Sequence, residues 1–135
     1  MNTTPTTPHR QPVGRMVTEV PAHIGAAFDE LREQYRHACA LPHTTDTEHA
    51  ERAERIAIVS ARLAGWWGVL ARWTYRGSGL DHLHGRAAFV ARRAERDAAR
   101  FWRDTAADWR ARAERRPTSD AAGALSNWDE LGVTA

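Results

Sequence analysis

Three stretches of the chain repeat their apolar residues at helical spacing. From Pro21 onward, Ile24, Phe28, Leu31, Tyr35 and Ala38 recur every three or four positions, which gathers them on one face of a helix. Pro21 suits the first helical turn, where its missing N–H would have no partner. Pro42 stops the segment after Leu41. In the second stretch Ile56, Val59, Leu63, Trp66, Leu70 and Trp73 alternate by three and four, a coiled-coil-like seam. Ile58, Trp67 and Val69 lie outside that seam, so this helix is expected to be central and buried on more than one side. Its start is marked by Thr45 and Glu48, a capping box in which hydroxyl and carboxylate satisfy each other's orphan backbone N–H groups. Gly77 offers its stop.

The third stretch opens on Ser78 and Asp81 and carries Leu80, Leu83, Ala87, Val90, Ala94, Ala98, Phe101, Thr105, Trp109 and Arg112 or Ala113 before Pro117 ends it. The pattern predicts that these residues form the inward seam of the third helix. The second and third helices each approach or exceed roughly thirty residues, about 45–55 Å at 1.5 Å per residue. The expected fold is all-α: an elongated antiparallel three-helix bundle made of one short helix and a long helical hairpin. The bundle occupies residues 19–116. Residues 1–18, with three Pro and five Thr, have too little apolar surface to repay ordering and read as a disordered tail. Residues 117–135 form a second tail, in which SNWDELG has the residues for one short capped turn, with Trp128 and Leu131 folding back.

Composition changes this picture little. Of 135 residues, 25 are Ala, 19 are Arg and none is Lys, a bias that points to a high-GC bacterial gene. Val, Leu, Ile and Phe are sparse, a warning of disorder when net charge is high, but the net charge is only +2 and there are six Trp. The single Cys39 excludes an internal disulfide. The N-terminus has no apolar signal region, and the longest uncharged apolar run, between Arg62 and Arg72, is far shorter than a membrane span. A cytoplasmic location is the expectation.

Charge is unevenly spread. Residues 19–54 hold eight acidic residues against three Arg, and residues 76–116 hold eleven Arg against six acidic residues. Arg92, Arg96, Arg100 and Arg103 form a stripe on the third helix, suited to bidentate phosphate contacts. Against that, Glu95, Asp97 and Asp104 are interleaved, and no helix-turn-helix, zinc finger or RNP motif supports sequence reading.

Candidate chemistry is thin. His37, Cys39, His43 and His49 gather at the connection between the first two helices and are the candidates for a zinc site, without any CxxC or HExxH spacing. Cys39 with His43 would be a nucleophile–base pair, but Pro42 breaks the helix between them. Asp46/His49 and Asp81/His84 have the three-residue spacing of di-iron bundles, yet they start helices whose starts lie at opposite ends of an antiparallel hairpin. No nucleophile elbow, Walker loop or Gly-rich cofactor turn is present. The chain reads as non-enzymatic, with no catalytic residues and no cofactor.

The Trp residues read mainly as core: Trp66, Trp73 and Trp109 on seams, with Trp67 and Trp102 one step off and assigned to a protein interface. The short helix leaves part of the long hairpin uncovered. Large exposed apolar patches mark partner surfaces, so a homodimer pairing two hairpins is the expected remedy, with a C-terminal tail covering the gap as the other. The functional expectation is a helical protein–protein interaction or accessory protein that binds itself or another protein. Its first alternative is an Arg-rich nucleic-acid-associated accessory protein of a bacterial mobile element, serving plasmid transfer or maintenance. The second is a small zinc-dependent protein.

Overall fold

Capping chemistry marks several of the helix ends. In the structure, a computed structural model that describes residues 19–76 and 82–120, the chain forms α1 (Ala22–Cys39), α2 (Asp46–Tyr75) and α3 (His82–Ala113). Pro21 is the N-cap of α1, one position outside the helix, and its carbonyl accepts from Ile24 N at 2.9 Å. The Thr45–Glu48 capping box forms as expected. Glu48 N donates to Thr45 Oγ1 at 3.2 Å, and the Glu48 carboxylate accepts from Thr45 N at 3.1 Å and Thr44 N at 2.9 Å. The Thr44 hydroxyl, which donates to the same carboxylate at 2.6 Å, and then these two backbone N–H groups hold the Glu48 carboxyl down at about 2. α3 ends in a Schellman turn: Arg116 N reaches the Ala111 carbonyl at 2.7 Å and Arg115 N reaches Arg112 at 3.0 Å. The left-handed position of that turn, usually given to Gly, is taken by Arg115 with φ 55°. Asp108 then accepts from the Ser119 backbone N–H and hydroxyl at 2.9 and 2.8 Å. Together these bonds turn the chain back after α3.

The architecture is an all-α, elongated antiparallel three-helix bundle, and α2 is its centre: α3 runs along it and α1 packs against it. α2 stays one helix through Gly65 and Gly68, and its buried residues lie on two flanks. One flank meets α1, with Leu31, Val59 and Leu63 as a cluster and Phe28, Trp66 and Trp67 packed around it. The other, including Ala53, Ala57, Ala64, Gly68 and Ala71, is small. At 18 residues, α1 is about 27 Å long against about 45 Å for α2. The short-plus-hairpin proportions read from the sequence therefore hold. The expected tail at 1–18, the Gly77 stop, the Ser78–Asp81 start and the SNWDELG turn lie outside the described residues.

The expected seam of α3 is corrected. Leu83, Val90 and Phe101 are 65%, 70% and 62% exposed, whereas the residues buried on α3 are Gly85, Ala88, Ala106 and Ala111. Arg92, Glu95, Ala99, Trp102 and Trp109 are half-buried beside them. The physical reason is closeness. Interaxial distance follows the side chains at the contact, and a Gly/Ala face lets two long helices approach until many weak dispersion contacts add up. At Gly85 the room a Cβ would need is taken by the far end of the Tyr75 ring, 2.6 Å away. A row of Leu, Val and Phe in the same place would hold the helices apart.

Candidate interaction surfaces

Four surfaces result from this packing. The first is the outer face of α3, with Leu83, Ala87, Val90, Ala94 and Phe101, all exposed. It faces away from α2 because the opposite face of the same helix is the one seated on it. Trp102, assigned to an interface from the sequence, is half-buried at the edge of this surface, its ring 5.3 Å from that of Phe101 in an edge-to-face arrangement.

The second is a groove of about 570 Å³ between α1 and α3, floored by α2. Trp67, the other residue assigned to an interface, lines it while packing its ring 4.6 Å from Phe28. It is thus joined to the α1–α2 core as well as to a surface. At the floor, fully buried Ser60 hydrogen-bonds the half-buried carboxyl of Glu95. Burial raises the carboxyl's affinity for its proton, and the Ser60 bond only partly opposes that. Tyr35, on the rim, has its phenol pushed up by partial burial and by neighbouring Cys39. The sequence points to Glu95 only as a countercharge among the arginines and does not point to Ser60. Their pairing across two helices has no local pattern to reveal it.

The third surface is the end of the hairpin where the His and Cys candidates sit. His43 and His49 have ring centroids 5.8 Å apart, but His49 is stacked flat on Trp109 at 4.1 Å. The Arg112 guanidinium carbon lies 4.7 Å from the same indole. His43 Nδ1 is 3.1 Å from the Leu41 carbonyl. His37 is exposed and lines a separate groove with Glu33 and Arg55. Cys39 is half-buried beside Tyr35. The fold thus brings two of the four candidates together and directs the other two elsewhere. Among the described residues no group of three His, Cys, Asp or Glu side chains could hold a metal ion. No helix among them is long and apolar enough to cross a membrane.

The fourth surface is the arginine flank. Arg92, Arg96, Arg100 and Arg103 do lie together, bordering a groove between α3 and the small residues Ala61, Ala64 and Gly65 of α2. α1 contributes nothing to its lining. Arg92 lies across Gly68, its Nε 3.3 Å from where a Cβ would stand. Arg100 and Arg103 make only long ion pairs with Asp97 and Asp104, at 3.8 and 3.9 Å. Among the described residues Arg92 and Arg96 have no ion-pair partner. Arg110, further along, pairs with Glu54 across the hairpin.

The chain matches no family model, no curated protein and no solved structure.

Proposed function

We propose that the protein is a non-catalytic helical interaction protein that self-associates through the outer face of α3. One observation carries this reading: Leu83, Val90 and Phe101 are exposed on a rigid helix at coiled-coil spacing. A contiguous exposed apolar row marks a contact surface. The row is also self-complementary about a two-fold axis at Arg92. Leu83 stands nine residues before that axis and Phe101 nine after; Val90 stands two before and Ala94 two after. An antiparallel copy therefore sets Leu83 against Phe101 and Val90 against Ala94, large against small near the axis. Closed two-fold pairing of this type is the commonest oligomeric solution.

Arg93 flanks one edge of the row, one residue from the axis, and would meet its own counterpart there. Screening relieves such like-charge contact, so association should tighten as salt rises. Sedimentation equilibrium of the wild type and of a Val90→Glu/Phe101→Ser variant tests the reading. The wild type is expected to be a dimer that salt strengthens, and the variant a helical monomer. A wild-type monomer at tens of micromolar, or a variant that still dimerises, would overturn the reading. Replacing Trp67 and Trp102 together by Ala locates the boundary of the interface. Weaker association with helicity retained makes them part of it, and unfolding makes them core.

A further inference from the structure

We infer that the arginine flank of the hairpin is a binding groove for a single nucleic-acid strand, held through its phosphates. The groove floor is Ala61, Ala64 and Gly65, and its wall is Arg92, Arg96, Arg100 and Arg103. Along α3 these arginines are roughly 6, 6 and 4.5 Å apart, an almost even row of forked donors that suits successive phosphates. Each is available for a ligand. Arg92 and Arg96 have no ion-pair partner among the described residues, and the pairs of Arg100 and Arg103 are long and exposed. Exposed pairs of that kind contribute little, so a phosphate displaces them readily. Arg92 is already placed, because Gly68 leaves room for its guanidinium to lie across α2.

The floor and the ends favour a strand over a duplex. Small side chains leave a channel between two helices, which a sugar–phosphate chain can enter and a duplex is too broad to enter. At the turn end of the row, Phe89 joins Arg92 and Arg96 in lining the adjoining cleft. Its ring is 46% exposed, next to Tyr75 at 5.7 Å. Exposed aromatic rings beside a basic groove are what unpaired bases stack on. The Arg110–Glu54 pair closes the other end, where the local charge is neutral. This groove and the outer face of α3 are different faces of one helix, so strand binding does not depend on the dimer.

Fluorescence anisotropy with a labelled single-stranded DNA of about 20 nucleotides, at about 50 mM salt, tests the assignment. The strand is expected to bind with a log–log salt slope near −3, four phosphates at about 0.7 each, and a duplex of the same sequence about tenfold more weakly. Arg96→Gln/Arg100→Gln is expected to weaken binding about tenfold and to reduce the slope by about 1.4. Gly65→Glu is the second variant. A Cβ there meets nothing within 4 Å, so the helix keeps its thermal stability while a carboxylate enters the channel and binding is lost. Absence of strand binding at that salt, equal affinity for the duplex, or either folded variant binding like the wild type would overturn the inference.

Discussion

α3 has two apolar faces, and they do opposite things. The inner face is made of Gly85, Ala88, Ala106 and Ala111 and rests on α2; the outer face carries Leu83, Val90 and Phe101 into solvent. By side-chain area the outer row is far the more hydrophobic. It is nevertheless the inner row that holds the hairpin together. The difference teaches that a long helix pair can be built on closeness instead of on side-chain size. A small face exposes little apolar surface by itself, but it admits a neighbouring backbone along its whole length. The large residues are then free to serve a surface that closes only with a partner.

Substitutions can separate these two roles. The largest effect is expected for Ala88→Leu, a fully buried inner position. Overpacking should cost about 3 kcal/mol, seen as a lower urea midpoint together with loss of the hairpin's cooperative unfolding. Gly85→Ala comes next. The added methyl gains helix propensity, yet it must displace the Tyr75 ring and crowd the Thr74 hydroxyl. A net loss of about 1–2 kcal/mol is expected; a gain in stability would show that Tyr75 yields freely and that the close approach is not needed. Thr45→Ala, remote from both faces, is the control for helix formation alone and should cost about 1 kcal/mol.

The same cap has a pH signature. Glu48 has a folded carboxyl near 2, below its unfolded value of about 4.3. Its contribution is therefore complete above the unfolded value and disappears as pH falls toward 2. NMR titration of the Glu48 side chain should find the low midpoint, and Thr44→Ala/Thr45→Ala should raise it. The smallest effect is expected on the outer face: Val90→Glu should change monomer stability by no more than about 0.5 kcal/mol while abolishing association. A large loss of monomer stability would mean that the outer row is not free.

Much of the fold was legible because its signals are local. Proline punctuation bounded α1, the Thr45/Glu48 pair located the start of α2, and the seam through Ile56, Val59 and Leu63 identified the central helix. The facing of α3 was not legible. A hydrophobic period ranks Leu and Phe above Ala, and it rejects a face containing Arg92 and Glu95. In the fold both of those lie half-buried on the inner side, Arg92 over Gly68 and Glu95 against Ser60. The arginine row was legible as a stripe. Its groove was not, because the floor belongs to α2. The His49–Trp109 stack joins the first turn of α2 to the last turns of α3, positions too far apart in the chain for any spacing to announce it.

The even, small-residue contact between α2 and α3 also sets an order of folding. Contacts near the turn, such as Tyr75 with Gly85, close short loops, whereas His49 with Trp109 closes the longest. Loop entropy grows with length, but each rung formed shortens the loop left for the next, so the pair behaves as a zipper with teeth of similar size. Low contact order near the turn favours rapid initiation there. The expected kinetic asymmetry is that truncating Tyr75 slows folding, whereas truncating Trp109 mainly speeds unfolding. The aromatic stack at the open end is then the last rung to form and the first to fray.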